Sequence, residues 1–215
     1  MTISVLAVST GTVGLKQQEF SWVHNAPATG TSDFLLACVG AVDHGRPNVV
    51  SATYSGIPMT TVASTVGAGG NPFPYGYMFY LASPPGTSGT IQIVFDEYVS
   101  TVNGASFALA GVSGSPHRGY SAAPINTQWP NFDISFDILS PASGAIFDLC
   151  MSQSSNHNTH VVGSGQAKLA DVFLNGPRFS TSYRLVSSGG MYTMARLQSG
   201  GPHAGSSLTA AFLKA

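Results

Sequence analysis

The chain has 215 residues, eight Lys or Arg, nine Asp or Glu and a formal net charge of −1, a balance that excludes a basic footprint for nucleic acid or an anionic membrane surface. Charged residues make up only 8% of the sequence, against about 25% in an average soluble domain, while 43% are hydrophobic. Gly, Ser, Thr, Asn and Pro stand in for the missing charges, which excludes a charge-rich disordered chain and disfavours long surface helices built on Glu–Lys pairs.

In chain order, Ile3 to Val8 predicts a first strand, Gly11 to Gly14 a turn, and Gln18 to Val23 a second strand with Phe20 and Trp22 on alternate positions. Residues 1–30 are read as N-terminal strands or an arm, and residues 31–215 as one domain. Asp33 to Val42 follows as a strand. In Asn48 to Ala63, Val50, Ala52 and Tyr54 share a face and Ser55-Gly56 turns the chain into a hairpin. The Gly67 to Pro74 stretch is too rich in Gly and Pro to be regular. Tyr75 to Ala82 is apolar on both faces, as a strand covered on both sides must be, whereas Ile91, Ile93 and Phe95 alternate strictly. Ala105, Phe107 and Leu109 face one way, with small residues opposite, and close this half.

Residues 113–130 hold Gly114, Pro116, Gly119, Pro124 and Pro130 and read as a long loop crossing one sandwich, with a domain linker as the alternative. Strands resume over Phe132 to Ile138, Ala145 to Ser152, Ala167 to Leu174, Phe179 to Val186, Met191 to Leu197 and Ser207 to Leu213, punctuated by Gly-, Asn- and Pro-rich turns. Many short strands at about ten-residue spacing, without an amphipathic helix, predict an all-β fold. We expect an antiparallel β-sandwich, jelly-roll-like, in one large domain. No sequence repeat stands out. Cys38 and Cys150 lie mid-strand among apolar residues and read as buried free thiols, with a single disulfide as the alternative.

Catalytic chemistry is hard to place. Asp133 and Asp137 share the polar face of one strand, about 13 Å apart at four strand rises, too far for a retaining glycosidase pair. Gly111-Val-Ser-Gly-Ser115 lacks the last glycine of a nucleophile elbow, and no metalloprotease, P-loop or dinucleotide motif occurs. His157 and His160, in Ser154-Ser-Asn-His-Asn-Thr-His160, offer two imidazoles from a polar loop, but nothing nearby completes a metal site of four ligands. No cofactor and no metal is expected. Tyr120 and Trp129 sit in the Pro-rich connection, and Phe73 and Tyr75 beside the Gly-rich one. Loop aromatics of this kind tuck into the core, form protein interfaces or stack on sugar rings. Phe73, Tyr75, Tyr120, Trp129, His157 and His160 are therefore the candidate glycan or interface contacts.

Three runs carry a family resemblance: Asp33-Phe-Leu-Leu-Ala-Cys-Val39, Val49-Val-Ser-Ala-Thr-Tyr-Ser-Gly-Ile-Pro-Met-Thr-Thr-Val-Ala63 and Met78-Phe-Tyr-Leu-Ala-Ser-Pro-Pro-Gly-Thr87. With Ser180-Thr-Ser-Tyr-Arg184 and Leu208-Thr-Ala-Ala-Phe-Leu-Lys214, they resemble β-sandwich modules of tailed-phage virion structural proteins and of bacterial surface or secreted proteins. The resemblance covers most of residues 33–215 and consists of strand and turn residues, so it implies a fold and no catalytic group. The N-terminus shows no basic region ahead of its short apolar run, which predicts no export signal and points to the phage side. The expectation is a non-enzymatic virion protein, a head decoration or spike or a tail component, located in the virion after synthesis in a host cytoplasm. It would form a homo-oligomer and contact other virion proteins, without nucleic acid or membrane. The low surface charge suits such a subunit. The alternative is a carbohydrate-binding module that recognises host-surface glycans.

Overall fold

The computed structural model describes residues 3–25, 32–45, 47–66, 73–113, 116, 118–122, 131–140, 142–153, 160–173, 177–199 and 205–214. Nine strands precede the 113–130 connection: Ser4–Val13 (β1), Gln17–His24 (β2), Phe34–Asp43 (β3), Val49–Tyr54 (β4), Ile57–Pro58 (β5), Thr60–Val66 (β6), Phe73–Ala82 (β7), Gly89–Val99 (β8) and Thr101–Ala110 (β9). Eight more follow: Arg118–Ala122 (β10), Asn131–Ser140 (β11), Gly144–Gln153 (β12), His160–Val162 (β13), Ala167–Phe173 (β14), Pro177–Val186 (β15), Gly190–Ser199 (β16) and Gly205–Leu213 (β17). No helix occurs among the described residues, and every strand pairing is antiparallel.

The strands form four sheets, in the orders β2-β8-β4-β5, β1-β9-β3-β7-β6, β10-β17-β12-β15-β14 and β11-β16-β13. They stack in that sequence, so the two five-stranded sheets are inner layers and the other two are outer layers. Three apolar cores fill the gaps. Phe20, Trp22, Tyr54, Ile91, Ile93 and Phe95 meet Leu35, Val39, Tyr77 and Phe79 in the first gap. Phe34, Leu36, Met78, Phe107 and Leu109 meet Phe147, Leu149, Met151, Phe179 and Phe212 in the central one. In the third gap, among the described side chains, Ile138 and Met194 are set against Ile146, Cys150, Val186 and Ala211.

Because the inner sheets are covered on both faces, their strands cannot alternate between apolar and polar residues. β3 is buried at all ten positions, and β7 is buried from Pro74 to Phe79. The expected hairpin is present: Ser55 and Gly56 both take positive φ, 50° and 81°, the pair of angles a two-residue primed turn requires. Beyond it, Ile57 and Pro58 pair with Tyr54 and Thr53, the Met59 amide donates to the Ala52 carbonyl, and the chain then crosses to the inner sheet as β6.

The two halves repeat one topology. Counting strands from each start, β1 to β4 and β6 to β9 occupy the same places in their sheets as β10 to β17. The inner sheets meet in reverse order: β6 lies over β10 and β17, β7 over β17 and β12, β3 over β12 and β15, and β1 over β14. Each strand thus faces the counterpart of its opposite number, as in an isologous two-fold contact, with β3 and β12 at the centre. The central core belongs to both halves and fuses them into one folded body.

This arrangement alters several expectations. The 113–130 segment joins the two halves and is not a loop throughout, since it contains β10, which opens the second strand set and pairs with β17. Within residues 1–30, β1 and β2 are integral strands that pair with β9 and β8. Gly11 is no turn residue, since β1 continues through it to Val13. The Cys38 and Cys150 thiols are free and buried, one facing the central core and the other the third core.

Candidate functional site

Of the six residues singled out from the sequence, the three whose side chains are described, Phe73, Tyr75 and His160, do not converge. Phe73 opens β7 half-buried against the first core. Tyr75 is 1% exposed, and its hydroxyl donates to the Gly45 carbonyl. Tyr120 lies on β10, but its side chain falls outside the described residues, as do Trp129 and His157 altogether. His160 is no loop residue: it begins β13 and is 0% exposed. Tyr75 and His160 are therefore corrected from candidate surface contacts to core side chains. Both rings are packed between sheets, and their polar atoms are already satisfied within the fold.

His160 instead leads to a polar cluster in the gap between the second inner and outer sheets. The face of β12 that looks outward carries Ile146, Asp148, Cys150 and Ser152, and β15 presents Ser180 and Ser182 beside them. From the outer sheet come Arg196 on β16 and His160 on β13. Asp148 and Arg196 are 1% and 2% exposed, while Ser152, Ser180 and Ser182 are fully buried. In the first sandwich the corresponding strand faces are apolar: Leu35, Ala37, Val39 and Ala41 on β3, Tyr77 and Phe79 on β7, and Phe95 on β8.

Hydrogen-bond polarity in the cluster follows from arginine, which only donates. Arg196 Nη2 donates to Asp148 Oδ1, which also accepts from the Ser182 amide at 2.8 Å and the Ser182 hydroxyl at 2.6 Å. Arg196 Nη1 donates to Ser180 Oγ. With the His160 proton on Nε2, which lies 2.9 Å from Ser152 Oγ, Nδ1 accepts from the Ser180 hydroxyl at 2.5 Å and each of these groups has a partner. Gln166 closes one side, donating to Ser182 Oγ at 2.9 Å and accepting from the Ala195 amide at 2.8 Å. Burial, reinforced by the neighbouring Arg196 cation, pushes the His160 pKa down to about 3.

Serine beside histidine suggests a nucleophile and its base, but the geometry serves another purpose. Neither hydroxyl reaches solvent, Asp148 engages Arg196 and not the imidazole, and a base of pKa about 3 accepts no proton near neutrality. What the cluster can do is hold two sheets together. Its members come from both layers, and each ion is repaid for lost hydration by several directed hydrogen bonds.

The first sandwich has a smaller polar cluster. Trp22 Nε1 donates to Ser106 Oγ at 3.1 Å, and that hydroxyl lies 2.8 Å from His24 Nδ1. His24 is 2% exposed at the end of β2, and burial lowers its pKa to about 4. On the surface, an open hollow of about 390 Å3 lies where the termini meet, lined by Ile3, Ser143, Leu185, Val186 and Lys214. Among the described residues, no three His, Cys, Asp or Glu side chains converge in a way that could hold a metal ion.

The sequence contained one signal for the buried pair that went unread. Asp148 interrupts the apolar run Ile146-Phe-Asp-Leu-Cys-Met151, and a lone acid at such a position is rarely buried without a partner. Comparison with known proteins places the chain in no family: no family model matches it, and no curated protein matches it.

Proposed function

We propose that this protein is a non-enzymatic structural component of a tailed-phage virion, a head decoration or spike or a tail part, that works by self-association and docking on a symmetric particle. The observation that carries this reading is where the reactive groups lie. Asp148, Arg196, His160 and His24 are sealed between sheets, where they join layers, and charged residues make up only 8% of the whole chain. A body of this kind has rigid faces to offer and little chemistry. The first half reads as a jelly roll once β5 and β6, one in each sheet, are counted as a single fifth strand, and the second half repeats that order with its fifth strand, β14, in the inner sheet. The family resemblance of residues 33–215 supplies the virion context.

Light scattering behind size exclusion tests this directly. The expected result is a trimer or larger closed assembly that can be imaged as discrete particles. A 22.2 kDa monomer at every concentration, with no association to phage particles, overturns the proposal.

A further inference from the structure

We propose that the second sandwich is an acid-opened unit. Protonation of His160 breaks the hydrogen-bond chain that ties the outer sheet β11-β16-β13 to the inner sheet, and the outer sheet lifts while the first sandwich stays closed.

The geometry shows why one proton matters there. His160 and Arg196 belong to the outer sheet, and Asp148, Ser152 and Ser180 to the inner one. Four buried polar links among the described residues therefore span the gap, Arg196 to Asp148, Arg196 to Ser180, Ser180 to His160, and His160 to Ser152, and at its exposed side Arg184 Nη1 donates to the Thr193 carbonyl at 3.1 Å. A proton on Nδ1 turns His160 into a second donor to Ser180 Oγ, which already accepts from Arg196. The Ser180 proton then loses its acceptor, and two buried cations share one hydroxyl.

The surroundings do not supply a compensating anion. Arg196 faces His160 from β16, and Asp148, already bound by Arg196, lies on β12. Arg178 on β15 and Lys168 and Asp171 on β14 complete the charged groups that bear on it. Asp171 is held by Lys168 at 2.6 Å and by Arg178 at 2.6 Å. Three cations thus stand against two committed carboxylates before His160 takes up a proton.

Among the described side chains, Ile138, Met194 and half-buried Tyr192 pack from the outer sheet against the third core. His24 is also buried, but it faces the Ser106 hydroxyl and, edge-on at 6.3 Å, the Tyr54 ring, with no arginine or lysine in its cluster.

Hydrogen–deuterium exchange on the intact chain at pH 7 and pH 4, corrected for intrinsic exchange, tests this. Peptides covering 131–140 and 190–199 are expected to lose at least tenfold more protection than 34–43 and 101–110. His160→Gln, whose amide can accept from Ser180 and donate to Ser152 without titrating, should abolish the difference. A second readout needs no variant. At pH 4, 4,4′-dithiodipyridine should label Cys150, which faces the opened gap, before Cys38, which faces the central core. Equal loss of protection in both halves, retention of the difference in His160→Gln, or simultaneous labelling of the two thiols overturns the proposal.

Discussion

Gly11 and Gly104 sit directly opposite each other on β1 and β9, and the side chain of Trp22 fills the hollow left by their missing side chains. A Cβ at Gly11 would lie 2.5 Å from the Trp22 Cβ, and one at Gly104 would lie 2.9 Å from both the Phe20 and Trp22 rings. Gly104→Val is therefore expected to lower stability by about 1–3 kcal/mol, the usual result of overpacking a filled core. Urea denaturation should show a lower midpoint with an unchanged slope. An unchanged midpoint would mean that Trp22 does not need the hollow.

Gly40 does the same work between the halves. A Cβ there would come within 2.7 Å of Phe179 and 2.8 Å of Met151 on the facing inner sheet. Gly40→Val should cost about 1–3 kcal/mol. Since the central core is shared, the thermal transition should move to lower temperature as one step. Two resolved transitions would show that the halves fold independently.

The Asp148–Arg196 pair allows a sharper test. Arg196→Met alone leaves an unpaired carboxylate in the core and is expected to cost about 3–5 kcal/mol. Replacing both residues, Asp148→Leu with Arg196→Met, should recover at least half of that loss, because the buried charges disappear together. A double variant less stable than the single one would mean that the pair earns more than its desolvation cost.

Both buried histidines make stability depend on pH. Unfolded, each titrates near 6.5; folded, His24 titrates near 4 and His160 near 3. The unfolded chain takes up protons first, so stability is full above pH 6.5 and falls as pH drops through that value. The loss per histidine approaches about 1.4 kcal/mol per pH unit and stops at the folded pKa. Unfolding free energies between pH 7 and 4.5 should show this slope. His24→Gln should remove about half of it, and a slope unchanged in that variant would exclude His24 as a contributor.

The thiols should be inert in the native protein. Burial pushes the Cys150 pKa up to about 12 and raises that of Cys38 further. At pH 8 the folded protein should show negligible reaction with Ellman's reagent, and two thiols should appear once it is denatured. Rapid reaction of either thiol in the native protein would contradict its placement in the core.

Much of the local structure was legible in the sequence. The Ser55-Gly56 turn, the alternation of Ile91, Ile93 and Phe95, and the two-sided apolarity of β7 follow from side-chain periodicity and turn chemistry. Gly11 misled because a glycine in a turn and a glycine making room for a ring look alike in one dimension. β10 and β13 are short and embedded in polar stretches, so neither period nor propensity marks them. The polar network stayed hidden because Asp148 and Arg196 are 48 positions apart and only the stacking of sheets brings them together. The repeated topology escaped notice for a related reason: Leu35, Ala37 and Val39 in one half stand where Ile146, Asp148 and Cys150 stand in the other.

That last difference follows from how the halves meet. Two copies of one gene product joined across a two-fold axis must carry every substitution twice, on both sides of the interface. Once duplication places both copies in a single reading frame, each can mutate alone, and only the central contact still obliges them to match. The two halves of this chain, alike in strand order and joined through one central core, have that freedom. One half buries a histidine beside a serine, and the other buries its histidine together with an ion pair.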